Sequence, residues 1–453
     1  MVMTRWFKAA GLTAVGALAC LWLAANAAAA PFGFDDGARY KAEVDASSSQ
    51  TIPPGTQITT ANWKQYQNFL PVGIQALYSG NYGFKIGDGP DFAINVGPTI
   101  ATPLPKQVQA NAEKYGHQAR LVKLPNGGYG IEGYVAGMPF ANPTEPDLGP
   151  KIMYDLWYDF WPFLISYHSH FFIEDRYGNT TPEESIATTW QLMHLSDSPY
   201  PIDLSYANGF YHSTRDLLLI PEQSKYTTAL DMQRDDPSAV QETYVFLPSL
   251  RRPLRLSSAA RCSPILGTDW AQDDNAGGIA FQVGLFNARY LGEKKVLAIV
   301  HANIAAGTGD RANLDKVLHT GLPVPGWPRA AMGNWEVRDA YIIDVEPIDK
   351  SYCYAHKVFY VDRQAWTTLF YETYDKQGKL WKVNKNSLGL VKLNDGESAI
   401  VSAATEDAIW DLQNTHSSVS TIGTVPEIDK DASPELQDAQ TFAFPGGLSR
   451  IMR

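Results

Sequence analysis

The chain has 453 residues, 45% of them hydrophobic and 19% charged, proportions that allow a large buried core and exclude a disordered polymer. Its formal net charge of −11 argues against nucleic acid as a partner, because that recognition needs a basic face. Removal of the two basic residues near the start makes the balance more acidic still.

Residues 1–29 read as a cleaved secretory signal peptide, with a basic start at Arg5 and Lys8, an apolar run from Leu12 to Leu23, and small residues at Ala27 to Ala29. The run falls short of the ~20 residues of a spanning helix. Cys20 lies inside it, which disfavours a lipid anchor. In an oxidising compartment the two remaining cysteines, Cys262 and Cys353, either form a disulfide or stay as two buried thiols.

Residues 30–150 are expected to form an N-terminal arm and helices packing on a sheet, with 31–58 extended. A helix is predicted from Thr60 through Trp63, Tyr66, Phe69 and Leu70, and a second from Pro105 to Gln118. The proline-rich stretch 139–150 is a connecting loop. Residues 151–423 are the expected main domain. It opens on Met153, Leu156, Trp157 and Phe160 at helical spacing, then a strand from Phe163 to Ile173. Thr181 and Pro182 then resemble a helix start, giving a helix to Met193.

Strands dominate thereafter, at Tyr244–Leu247, Leu254–Leu256, Ile279–Phe286, Lys295–His301 and Trp335–Val345, the last with the clearest alternation in the chain. Tyr354 to Lys385 specifies three consecutive antiparallel strands. Its second turn, Asp375-Lys376-Gln377-Gly378, pairs Asp375 with Lys379 and, stepping outward, Glu372 with Lys382 and Tyr371 with Val383. That register puts Phe359, Val361, Leu369, Tyr371, Trp381 and Val383 on one apolar face and turns Glu372 and Lys382 to water. A short helix at Ala408–Thr415 and an extended tail over 424–453 complete the chain. The fold class is mainly β (α+β): one large antiparallel sheet that curls towards a barrel or splits into a sandwich.

Four clusters carry possible chemistry. His168 and His170 share one side of a strand and are weak metal-ligand candidates, with Glu174 and His212 as further donors; the alternative is hydrogen bonding within the sheet. The acidic stretch Asp269 to Gly278 does not fit a calcium loop and reads as a solvated turn. Arg251, Arg252, Arg255 and Arg261 either clamp an anionic head group, chiefly through Arg251 and Arg252, or pair with surface carboxylates. No phosphate loop, nucleophile elbow or dinucleotide fingerprint is present, so no cofactor is expected and the enzyme reading is weakened.

Several pieces together resemble the secreted Gram-negative proteins grouped as domain of unknown function 1329. They are YVFLPSLRRPLR from Tyr244, GLFNARYLGEKK from Gly284, KVFYVDRQAW from Lys357, YDKQGKLW from Tyr374, and Trp410 to His416. Ser249 and Leu250 depart from the family's pattern before the arginine pair. The resemblance implies an incomplete antiparallel barrel whose helices cover a hydrophobic cavity on its concave face, as in the periplasmic carrier that sorts lipoproteins to the outer membrane. It also implies an inner-membrane hydrophobe exporter and an outer-membrane protein as partners.

The expected function is therefore periplasmic carriage of a lipid or other hydrophobic molecule between membranes. The cavity is expected to be lined by Trp335, Tyr341, Ile343, Phe359, Val361, Leu369, Tyr371, Trp381 and Val383. The alternatives are a metal-dependent enzyme or hydrolase centred on His168 and His170, and a structural adaptor of an export system.

Overall fold

In the computed structural model residues 32–257, 261–309, 311–402, 406–424 and 426–452 are described; the expected signal peptide lies outside them. One antiparallel sheet of fourteen strands dominates and is not closed into a barrel. Its strands are β1 (Leu164–Glu174), β2 (Thr180–Gln191), β3 (Phe210–Ile220), β4 (Thr228–Arg234), β5 (Glu242–Leu247), β6 (Arg252–Arg255), β7 (Phe286–Ala298), β8 (Glu336–Pro347), β9 (His356–Asp362), β10 (Thr368–Tyr374), β11 (Leu380–Ser387), β12 (Glu406–Asp411), β13 (His416–Ile422) and the short β14 (Glu427–Ile428).

The spatial order is β6-β5-β4-β3-β2-β1-β13-β12-β11-β10-β9-β8-β7, with β14 also pairing β1. The chain thus meanders outward from β1 to one edge, crosses to the far edge at β7, and meanders back until β13 pairs with β1. The segment between β6 and β7 makes that crossing, and its described residues 261–285 include Trp270 and Phe281.

Each face of the returning meander is covered. On one side the helices α1 (Ala38–Ser48) and α2 (Val72–Ser79) bring Tyr40, Ile74 and Leu77 against Val358, Tyr360, Phe370 and Val383. On the other, α4 (Leu148–Trp157), which follows α3 (Lys106–Tyr115), packs with Trp270 and Phe281 of the crossing segment on Ile343, Phe359, Val361 and Tyr371. A third cluster sets Leu436, Phe442 and Leu448 against Trp190, Leu230 and Phe246 of the first meander.

Several expectations are corrected. The 31–58 arm holds α1, whose Tyr40 hydroxyl is satisfied by Glu372. The tail expected to be extended over 424–453 holds the short β14 and then, from Asp429, a set of short helical turns whose Leu436, Ala439 and Phe442 are buried together. Residues 181–191 and 408–411 form strands rather than helices, 412–415 form the turn that follows, and within 279–285 the only regular element is a helical turn at Val283–Leu285. Helical turns at 63–65 and 67–69 replace the continuous helix from Thr60.

The Asp375 turn closes as its sequence demands, with the Asp375 N–H donating to Lys379 O at 3.0 Å and Gly378 at φ 71°. One step further the register slips. Tyr374 pairs with Leu380 but Thr373 with Lys382, which leaves Trp381 bulged and sets Glu372 opposite Val383. Glu372 is consequently fully buried under α2, where it accepts the Gly73 N–H, and Lys382 reaches the Asp269 carbonyl; neither faces water.

Candidate ligand-binding site

A hollow lies on the face shared by β1, β2 and β3. Strand alternation puts Tyr167, Ser169 and Phe171 of β1 on this face, next to Ser185, Ala187 and Thr189 of β2 and Thr214, Asp216 and Leu218 of β3. Asp407 and Ser420 extend the wall across β12 and β13. The crossing segment forms the roof through Ile265 and Trp270, and Leu266 is exposed at its rim. The cavity measures about 120 Å³.

The roof is anchored at two carboxylates. Asp274 accepts from Lys357 Nζ and Tyr354 Oη, each at 2.6 Å, and Lys357 also donates to the Gly278 carbonyl at 2.7 Å. Burial alone would raise the Asp274 carboxyl, but the Lys357 and Lys382 ammoniums and these hydrogen bonds hold it below the usual range. Asp269 is held by the Ser418 hydroxyl and the His416 ring, both at 2.7 Å. The stretch expected to be a solvated turn is therefore buried, with Asp273 and Asp274 each 1% exposed. A disulfide between Cys262 and Cys353 adds a covalent tether from this segment to the loop before β9.

The walls mix rings and aliphatic groups with hydroxyls and carboxyls. Thr189 and Thr214 satisfy one another at 3.1 Å across β2 and β3. Asp216 has Asp231 as its diagonal neighbour on β4, since Asp216 pairs with Ala229. Burial pushes the Asp216 carboxyl up to about 7; Asp231 adds to this and Arg215, next along the strand, opposes it. Burial likewise takes Asp407 up to about 7, against a hydrogen bond from Asn384. Glu183 is raised by burial too. Among the described residues, no Lys or Arg lines the cavity.

None of the nine side chains expected to line the hollow belongs to this wall. Tyr341, Ile343, Phe359, Val361, Tyr371 and Trp381 are on the same side of the sheet, but α4 and the crossing segment fill the space above them. Trp335, Leu369 and Val383 belong to the cluster on the opposite side, Trp335 against Trp327 and Val383 against Gly73 of α2. For Val383 the cause is the Trp381 bulge, which reverses the faces assigned from the turn.

The other candidates also lie elsewhere. Arg251 and Arg252 are exposed at the turn joining β5 to β6. His168 and His170 point away from the cavity and flank Glu184, at 3.5 and 3.4 Å. His212 is on the cavity side of β3 against Trp161, so it does not meet them. The described grouping whose donor atoms do converge is Asp344, Glu346 and His356, where Arg289 already pairs with Asp344 at 2.9 Å. What sequence reasoning missed is the Ser, Thr and Asp wall of β1 to β3; its signal was the period-two alternation Glu183, Ser185, Ala187, Thr189.

The family model for "Protein of unknown function (DUF1329)" matches residues 57–443, and the chain belongs to that family. No curated protein sequence matches significantly. Among solved structures, a DUF1329 family protein from Desulfovibrio piger ATCC 29098 is similar at 13% identity over 67% of this chain and 100% of that one, with a TM-score of 0.46. A LolA superfamily protein from Nitrosomonas europaea is similar at 14% identity over 61% and 90%, with a TM-score of 0.35. Among the described residues no helix is long and apolar enough to cross a membrane.

Proposed function

We propose that this protein is a periplasmic carrier that holds a small hydrophobic molecule between β1 to β3 and the crossing segment. The observation that carries the reading is the cavity itself, with Tyr167, Phe171, Leu218, Ile265 and Trp270 around one hollow. The signal-peptide pattern of residues 1–29 supports export, and the exporter and outer-membrane partners implied by the family resemblance fit a molecule in transit.

Size sets the scale of the cargo. A cavity of roughly 150 Å³ accommodates benzene, so about 120 Å³ suits a body of around six carbons. At about 0.8 kcal/mol per buried methylene such a body contributes roughly 5 kcal/mol, short of the ~8 kcal/mol of a micromolar complex. The polar wall has to supply the rest, or a longer chain has to run out past Leu266.

Native mass spectrometry of protein purified from periplasm without detergent tests this. A bound small molecule, released by organic solvent and bearing an apolar body, is expected. Protein that is always empty, and that takes up none of a panel of short-chain hydrophobes, contradicts the reading.

A further inference from the structure

A cavity meant only for hydrocarbon has no use for ionisable walls, since each buried carboxyl without a counter-charge costs free energy. Here Glu183, Asp216 and Asp407 all face the hollow without a basic partner on the wall. They are not one clump. Asp407, Ser420, Phe171 and Glu183 are register partners in series across β12, β13, β1 and β2, so Asp407 and Glu183 stand three inter-strand spacings apart, roughly 14 Å along the sheet.

Asp216 has the most specific surroundings. Ser185 pairs with Leu218 across β2 and β3, which makes Ser185 and Asp216 diagonal neighbours on the cavity face. Ser185 is 1% exposed and its Oγ has no hydrogen-bond partner. An unpaired hydroxyl oxygen thus lies beside a carboxyl that lacks a base. Trp270 in the roof is likewise buried, with its indole N–H unpartnered. From the neighbouring elements, Asp231 of β4 and Tyr167 of β1 face Asp216, and Arg215 lies on the far side of the sheet with Trp190 and Phe442.

We propose that the molecule this cavity takes is a primary amine on an apolar body, its ammonium group seated between Asp216 and Ser185 Oγ. An ammonium offers three donors and a positive charge, which answers both groups at once. The rings of Tyr167 and Trp270 provide apolar surface for the body and faces that tolerate a cation. This inference rests on the carrier reading and narrows its cargo.

The test compares three probes of equal chain length, octylamine, 1-octanol and octanoate, by calorimetric titration into the full mature protein at pH 8 and pH 5.5. Octylamine is expected to bind at least tenfold tighter than 1-octanol at pH 8 and octanoate most weakly, with the amine's advantage shrinking at pH 5.5 as Asp216 takes a proton. Asp216→Asn should abolish that advantage by weakening octylamine far more than 1-octanol; Ser185→Ala should reduce it, and serves if the first variant does not fold. Equal binding of octylamine and 1-octanol by the wild type, or an amine advantage that survives both substitutions, overturns the amine assignment while the carrier reading stands. Failure of all three probes to bind overturns both.

Discussion

The Lys357 ammonium lies 2.6 Å from Asp274 Oδ1, and the contact joins β9 to the crossing segment with both side chains buried. It fixes the roof of the cavity to the returning meander, beside the hollow. Removing one partner of a buried pair leaves the other charge uncompensated, at a cost of about 3–5 kcal/mol. Lys357→Met should lower the urea-unfolding free energy by that amount, and adding Asp274→Leu should restore much of it. A single variant as stable as the parent would show that the pair does not hold the segment down.

Gly278 lies just beyond this anchor with φ +92°, and a Cβ added there would sit 2.6 Å from the Tyr371 ring. Backbone strain and overpacking act together at this site, so Gly278→Ala should cost about 2–4 kcal/mol, read from denaturant midpoints. Gly396, at φ +89° with nothing near, provides the control in which only the strain is felt.

The disulfide links positions 91 residues apart. In the chain-entropy account a loop of that length is worth about 4–5 kcal/mol. Cys262→Ser with Cys353→Ser should lower the thermal midpoint and weaken 1-octanol binding, because the roof loses its tether. A melting curve that does not respond to reductant would remove this role.

The wall carboxyls make a signed pH prediction. Asp216 and Asp407 titrate at about 7 in the folded protein, against about 3.9 for an unfolded aspartate. Between those values the folded form keeps protons that the unfolded chain has lost, so stability falls as pH rises from about 4 through about 7. Buried Glu372, also raised to about 7, adds to the same slope. The thermal midpoint should therefore be higher at pH 5 than at pH 8, and Asp216→Asn should raise it at pH 8 with little effect at pH 4.5.

The sheet was legible in the sequence wherever a strand alternates between core and core, as in Trp335 to Val345, or returns through a turn whose residues dictate its type, as at Asp375 to Gly378. The cavity was not, for two physical reasons. A bulge such as the one at Trp381 has no signature in hydrophobicity, yet it exchanges the two faces beyond it. The true wall, moreover, is built from Ser, Thr, Glu and Asp, and in β2 the Thr181-Pro182 pair imitates a helix start. Long-range pairing of β2 with β1 and β3 overrides that local signal.

The cavity is the claim on which the rest depends, and filling it tests it most directly. Ala187 lies on the wall between Tyr167 and Asp216 in one register row and is 6% exposed. Titration of 1-octanol into the wild type should show one saturable site, and titration into Ala187→Trp should show none while circular dichroism and the melting transition confirm a folded protein. Undiminished binding by folded Ala187→Trp would contradict the account.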